Sequence, residues 1–560
     1  MELTLDQALE AALKFQQAGR LAEAESAYRQ ILAKVPDNAP ALHMLGVVCF
    51  QLRRPEAESL IRRALELQPN YPSAWNNLGH ALEGQGQINA ALECYQEAVK
   101  LRPNYPEAIY NIGHILHDQG QFIPAIEYYD KAISLRPDYY VALNNIGNAL
   151  SEVGQLERSL AAIRQAVAVQ PQIAEGYNNL ASILEKVGRL DDAIESARHA
   201  VSLRPDLGPA ICNLANLFYL HGDLDAALAT YQKALVAAPT FADIHSNFGM
   251  ALLASGDTDR GWQEYEWRLK TSDYLRRHKK QFASPVWDGA EISGQTILLH
   301  AEQGIGDTIM FARFAPDVAA RGGRVILEVQ PELLRLFQKF PGVAQVIPGG
   351  PNMAQPPSPP PFDLHVPLMS LPLALGLTKF GTGSLQPPYL EPDPILLADW
   401  QERLSSDPRR LKVGLTWAGG SYHKRDRQRS IPLTALAPLA NPNIQFLSLQ
   451  LGQGADQIAD RSHGLRITDH TMHLTDFADT AAAIAAMDLV ITVDTAVAHL
   501  AGAMGKETYL LLDYAPDFRW LRNRDDTAWY PSLKLFRQSF PGDWYDPIER
   551  VAAELSKLAT

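Results

Sequence analysis

Apolar residues in the first half of the chain recur at helical spacing in paired blocks, and the pairs themselves repeat. Residues 4 to about 274 divide into eight such units, mostly of 34 residues. Each unit predicts a helix, a tight turn, a second helix and a connection. The turn is marked by Gly19, Gly86, Gly120, Gly154, Gly188, Gly222 and Gly256, while the second unit is one residue short and lacks it. Pro36, Pro69, Pro103, Pro137, Pro171, Pro205 and Pro239 close successive units, since a residue without an N–H cannot continue a helix. Small residues fall where two helices must approach, such as Ala91 and Ala98, then Ala125 and Ala132. In the last unit Gly261 and Arg268 stand at those positions, and Trp262 and Trp267 appear. That unit is expected to cap the array or to dock on the second half of the chain.

After residue 274 the periodicity stops. Short apolar runs with glycine turns after them take over, the pattern of buried parallel strands. "TILLHA" (296–301) and "RVILEV" (324–329) read as strands, and "EQGIGDT" between them leads into a helix expected over 307–320. The proline-rich "PGGPNMAQPPSPPP" (348–361) reads as a surface loop. A second unit starts with a strand and glycine turn in "LKVGLTWAGG" (411–420), and then a strand in "IQFLSLQ" (444–450). The stretch from 476 parses as helix (476–486), strand (488–493), turn at Asp494–Thr495, helix (496–504) and strand (507–512). Three domains are expected: 1–274, 275–395 and 396–560.

Composition narrows the function classes. The 560 residues carry a net charge of −13, with 46% hydrophobic and 20% charged residues. That is the profile of a folded chain whose main partner is not nucleic acid. No apolar stretch reaches the roughly 18 residues a membrane span needs. The start, "MELTLDQALEAALKF", has no apolar signal core. Cys49, Cys94 and Cys212 lie far apart without metal spacing, which suits buried thiols in a reducing cytoplasm.

The repeat pattern resembles the tetratricopeptide repeat, which implies a superhelix with an extended concave face. On the first helix of six successive repeats one position is always Asn: Asn77, Asn111, Asn145, Asn179, Asn213 and Asn247. A carboxamide carries two donors and an acceptor, so a row of them suits gripping an extended polypeptide by its backbone. The alternative reading is that these side chains bond between neighbouring repeats, or that the recurrence reflects recent repeat duplication. A similar asparagine ladder lines the repeat domain of the eukaryotic O-GlcNAc transferases, and that resemblance implies an acceptor peptide along the groove.

The second half resembles the GT-B glycosyltransferases, two Rossmann-like domains facing a cleft. It is most similar to the ADP-heptose heptosyltransferases, glycosyltransferase family 9, over roughly residues 290–555. That family's Asp-Thr/Ser-Gly-x-x-His-Leu-x-x-Ala-x-Gly motif is matched by "DTAVAHLAGAMG" (494–505), with Ala496 where the family has Gly. Its Gly-x-Gly-Asp is matched by "GIGD" (304–307), which puts Asp307 at the position of the proposed catalytic base. Asp before a helix is also a common N-cap. The resemblance implies donor binding by Gly304, Gly306, Trp417, Asp494, Thr495 and His499. In the basic loop "SYHKRDRQRSIP" (421–432), Arg427 or Arg429 stands in for the family's lysine, among Lys424 and Arg425. The catalytic-domain motifs of the O-GlcNAc transferases are not found, so the donor need not be UDP-GlcNAc.

The expected fold class is therefore an α-solenoid (a TPR superhelix) joined to an α/β GT-B half. The expected function is transfer of a sugar from a nucleotide-sugar donor to Ser or Thr of a polypeptide held by the repeats. That chemistry is expected to be inverting and metal-independent, with the donor as substrate and no further cofactor. Bacterial flagellin O-glycosyltransferases have a similar architecture, which brings in flagellin as an acceptor. Two other readings stand beside this one: a non-catalytic TPR scaffold with a degenerate transferase half, and a lipopolysaccharide heptosyltransferase-like enzyme.

Overall fold

The computed structural model describes residues 4–278, 282–351, 353, 357–405, 410–420, 426–515 and 517–559. Lys424 and Arg425 lie outside the described residues. The chain folds into two compact units, Met1–Asp206 and Leu207–Thr560. Their boundary falls inside the repeat array.

The first unit is all helix, from Leu5–Gln17 to Leu190–Leu203. Its helices form antiparallel pairs whose turns place the expected glycines at positive φ, for example Gly86 at 77° and Gly120 at 74°. In the second repeat, where the glycine is missing, Arg53 takes the left-handed conformation with φ of 55°. Close packing inside a pair is set by small residues. A Cβ on Gly79 would lie 2.5 Å from the ring of Tyr95, so the ring seats directly on the backbone of the facing helix.

The second unit begins with the last two repeats, from Gly208–His221 to Thr258–Tyr265, and continues into two parallel sheets. The first sheet holds β1 (Thr296–His300), β2 (Arg324–Val329), β3 (Gln345–Pro348) and β4 (Leu364–Pro367) in the order β3-β2-β1-β4. The second holds β5 (Leu411–Thr416), β6 (Ile444–Ser448), β7 (Ile467–Thr468), β8 (Leu489–Val493), β9 (Thr508–Leu512) and β10 (Leu533–Arg537) in the order β10-β9-β8-β5-β6-β7. Every pairing is parallel, with Ile297 opposite both Val325 and Leu364, and Val413 opposite both Phe446 and Leu489. In each sheet the chain builds outwards from the inner strand and then jumps to its other side. The reversals fall between β1 and β4, and between β5 and β8. Open α/β sheets leave a crevice for ligands at such points, outside the carboxyl ends of the strands.

Two expectations need adjusting. The helix expected over 307–320 is two helices, Ile305–Phe311 and Ala315–Ala319, joined by a 3-10 turn at Ala312–Phe314. Pro316 has no N–H to extend the first helix, so the ladder breaks before it. In addition, β3, β4, β7 and β10 have no counterpart among the expected strands. Of these, β3, β4 and β7 are only two to four residues long, too short for a period to register. One core runs through the second unit and includes Trp262 and Tyr265 of the last repeat, Leu299, Phe311, Leu500 and Trp529.

Candidate functional site

The N-terminal edge of the site lies just past β1. The chain passes through Glu302, Gln303 and Gly304 into helix Ile305–Phe311. Gly304 occupies the N-cap position and has no side chain to satisfy the first turn. Asp307 reaches back instead, its carboxylate accepting the Gly304 N–H at 2.9 Å. The other carboxylate oxygen accepts from the guanidinium of Arg519. Asp307 is thus at once a helix-terminal acceptor and one arm of an ion pair with the second sheet's side of the site.

The opposite edge lies past β5 and β8. Beyond β5, the side-chain Oε1 of Gln450 accepts the N–H of Trp417 at 3.0 Å and of Ala418 at 2.9 Å, fixing the turn. The Trp417 indole is fully buried in the core of the second sheet and donates to the Gly454 carbonyl at 3.2 Å. Arg429 donates to the Asp494 carbonyl at 2.7 Å and to the Asp426 carboxylate at 3.2 Å, tying the basic loop to the end of β8. Arg427 lies on the exposed side of the same short helix, Asp426–Arg429. Burial first, and then the like charge of Asp517, pushes the Asp494 carboxyl up to about 6.

Thr495 is the N-cap of helix Ala496–Ala503, yet its hydroxyl pairs with that of Thr492 at 3.2 Å. The Thr495 side chain therefore does not cap this helix; the Ala498 N–H bonds the Thr495 carbonyl at 3.0 Å, and the positive end of the helix dipole lies at the end of β8. His499, on the same helix, is buried, with Nδ1 3.1 Å from the Tyr530 hydroxyl and its ring stacked on Trp520. Burial, and then the cations Arg519, Arg313 and Arg429, holds its imidazole well below the usual histidine range.

The two motifs singled out in the sequence meet here. A Cβ on Gly306 would lie 2.6 Å from His499 Cδ2, so the "GIGD" backbone and the "DTAVAH" helix approach in a way only glycine permits. Gly304, Gly306, Asp307, His499 and, through Arg429, Asp494 therefore belong to one corner of the fold. Other members were not legible in the sequence. Arg519, Asp517 and Trp520 come from the segment after β9, and Tyr530 from the loop before β10. That segment carries no period or glycine motif. Its only local signal is the mixed aromatic and basic run "DFRWLRN" (517–523), which the structure bends through positive φ at Leu521 (47°) and Asn523 (55°).

The crevice of the first sheet is filled from within the chain. Arg268 of the last repeat is buried against Glu302 at the end of β1, with contacts of 3.0 and 2.8 Å. It also donates to Ser370 at 2.7 Å and to Glu266 at 2.6 Å. The Met369 N–H donates to the same Glu302 carboxylate at 3.0 Å. Gln303 donates to the Tyr265 hydroxyl at 2.9 Å, and the Trp262 indole donates to the Thr378 carbonyl at 2.9 Å. The last unit therefore docks on the α/β half, and the unusual Arg268 is the counter-charge of a buried carboxylate.

On the repeats, the same-register asparagines bond from one repeat to the previous one. Asn77 donates to His43 Nε2 at 2.8 Å, Asn145 to the Tyr110 hydroxyl at 2.8 Å and Asn179 to the side-chain Oδ1 of Asn144 at 3.0 Å. Asn111 is buried and contacts both Asn76 at 3.0 Å and His80 at 3.2 Å. Asn247 lies 3.7 Å from Cys212 Sγ, and Asn213 is half-buried. The bonds between repeats are thus present, and each uses the amide nitrogen of Asn77, Asn145 or Asn179, all half-exposed residues. Elsewhere on the array Glu25, Cys49 and Glu56 converge, but Arg29 already pairs with the two carboxylates at 2.8 and 2.7 Å.

Comparison with known proteins bears mainly on the repeats. The cilia and flagella-associated protein 70 C-terminal domain matches residues 68–273, and a tetratricopeptide-repeat family matches residues 9–74. Protein FlbA of Caulobacter vibrioides is 29% identical over 322 residues, 53% of this chain and 52% of that protein. Human tetratricopeptide repeat protein 7A is 36% identical over 78 residues, 14% of this chain and 9% of that protein. The chain thus spans about half the length of the first relative and a small part of the second. Among solved structures, the APC/C hetero-tetramer Cut9–Hcn1 aligns with a TM-score of 0.38 at 16% identity, covering 48% of this chain and 53% of that one. YrrB, described as a TPR protein with an unusual peptide-binding site, aligns with a TM-score of 0.29 at 19% identity, covering 33% of this chain and 95% of that one. Helix pairs, left-handed turns and family matches agree that the first part of the chain is an array of tetratricopeptide repeats, followed by an α/β half of two parallel sheets.

Proposed function

We propose that the chain is a protein glycosyltransferase: the repeats hold a polypeptide, and the α/β half is a GT-B unit that transfers a sugar to it from a nucleotide-sugar donor. The observation that carries this reading is the approach of Gly306 to His499, which sets the Asp307-closed glycine turn after β1 beside the helix Ala496–Ala503, whose N-cap Thr495 makes no side-chain cap bond, at the ends of parallel strands. Such an arrangement favours an anionic ligand, as the phosphate or diphosphate of a nucleotide sugar is. In the reaction the acceptor hydroxyl oxygen forms a bond to the anomeric carbon. The anomeric bond to the phosphate oxygen breaks, and its electron pair leaves with the nucleotide, a diphosphate for ADP-heptose or UDP-GlcNAc and a monophosphate for a CMP-nonulosonate. The hydroxyl proton passes to the Asp307 carboxylate. The Thr495 helix start and Arg429 hold the phosphate groups of the leaving nucleotide, with Arg427 at the mouth of the loop. On the repeats, the carbonyls of the asparagine ladder accept backbone N–H groups of the acceptor. The protein works in the cytoplasm, and flagellin is the acceptor to test first.

The test is a melting-temperature panel with ADP-heptose, UDP-GlcNAc and a CMP-nonulosonate, since a ligand of the folded state alone raises the midpoint. Mass spectrometry of flagellin incubated with the full chain and the same donors completes it. A clear upward shift with one donor, and a mass gain equal to its sugar, is the expected result. No shift and no mass gain with any of the three would leave the chain a tetratricopeptide scaffold and end the glycosyltransferase reading.

A further inference from the structure

Arg519 lies deep in the corner where the two glycine motifs meet. The residue is 7% exposed, and its guanidinium donates to two carboxylates, Asp307 from the first sheet's side and Asp517 two residues before it. Its Nε is buried without a partner. The segment that carries it is held on both flanks. Phe518 packs on Trp262 and Tyr265 of the last repeat, Trp520 stacks on His499, and Leu521 adopts φ of 47°, a conformation L side chains avoid. Backbone strain of this kind persists only where surrounding packing imposes it, and such sites are often functional. The other charges around this corner are Asp494, Arg429 and Arg313, with neutral His499 and Tyr265 beside them.

We infer that Arg519 is the positioning residue for Asp307: a fixed guanidinium on the second sheet's side that holds the carboxylate in one orientation across the crevice. This rests on the glycosyl-transfer reading above, in which Asp307 takes the acceptor proton. A carboxylate at the start of a seven-residue helix has free rotation about two side-chain bonds. The Gly304 N–H constrains one oxygen, and Arg519 constrains the other. With both held, the carboxylate plane is set before the acceptor arrives, which is what proton transfer in a positioned complex requires. Arg519 itself does not touch the donor in this scheme. Asp517 in turn holds Arg519, and Trp262 and Tyr265 support Phe518, so the last repeat buttresses the group that aims the base.

The experiment uses the full chain, flagellin and whichever of ADP-heptose, UDP-GlcNAc or CMP-nonulosonate the panel selects. Arg519→Gln is expected to lower kcat about 100-fold while leaving the donor KM within about threefold, as loss of positioning without loss of binding should. Arg519→Lys restores a cation without the planar fork and is expected to recover about tenfold of that loss. The double variant Asp307→Asn/Arg519→Gln should be no slower than Asp307→Asn alone, because a residue acting only through Asp307 has nothing further to lose. Donor binding by calorimetry, measured on each variant, shows that the fold and the donor site persist. If the two substitutions instead multiply, or the donor dissociation constant rises tenfold in Arg519→Gln, Arg519 contacts the donor and the inference is wrong. Wild-type kcat in a folded Arg519→Gln also overturns it. A wild-type chain that neither binds nor transfers from any of the three donors removes the glycosyl-transfer reading, and this inference with it.

Discussion

At residue scale, two departures from the repeat pattern carry measurable consequences. Arg53 occupies the left-handed turn position that glycine fills in seven other repeats. A side chain there strains the backbone by about 1–2 kcal/mol, partly offset by the greater chain entropy of glycine when unfolded. Arg53→Gly should therefore raise the stability of the array by roughly 0.5–1 kcal/mol, read as a higher urea midpoint. His43 takes the ladder position in the second repeat, where its Nε2 must stay unprotonated to accept from Asn77. Burial lowers its pKa to about 4. The ordinary unfolded value is about 6.5, so protons bind the unfolded chain more readily. Stability from this site is whole above pH about 6.5 and is lost as pH falls towards about 4, by an amount of order 2–3 kcal/mol. Urea titrations between pH 7 and 4.5 should show that loss shrink in His43→Asn, which keeps a ladder side chain that does not titrate.

At the scale of elements, the decisive contact is between helices Ile305–Phe311 and Ala496–Ala503, where Gly306 meets His499. Gly306→Ala drives a methyl to 2.6 Å from the imidazole, and buried His499, held by Tyr530 and Trp520, has little room to give. Overpacking of this kind usually destabilises by about 1–3 kcal/mol. The variant should lose melting temperature and, on the proposed function, the shift given by the donor nucleotide sugar as well. A Gly306→Ala chain that melts and responds as wild type does would mean that the two motifs do not pack this closely.

At the scale of the whole molecule, the second unit shows a repeat built into the α/β half. Arg268 and Glu302 are nearly solvent-free partners, joined by Ser370 and Glu266. Removing one member of a buried pair leaves the other charge uncompensated, which typically destabilises by about 3–5 kcal/mol. Arg268→Met should lower the unfolding midpoint of the second unit, and Arg268→Met/Glu302→Gln should recover much of it, since the stranded carboxylate is then gone. Two-transition calorimetry of the full chain measures both. If Arg268→Met melts like wild type, the last repeat is not seated on this ion pair.

The sequence by itself determined what local physics determines. A period of 34 residues with glycine at one turn and proline at one junction is enough for helix pairs, because each signal acts within a few bonds of the backbone it shapes. The longer buried strands were legible for the same reason, as were the glycines at their ends. Tertiary structure decided everything that depends on which distant groups share a space. It turned one amide hydrogen of each bonded ladder Asn towards the preceding repeat, buried Trp417 in a core, and broke the helix after "GIGD" at Pro316. Above all it brought Arg519 to Asp307 and Arg268 to Glu302. No pattern along the chain marks these pairs, because a buried charge takes its partner from whatever the fold places beside it, and that choice is made by packing, not by neighbours in sequence.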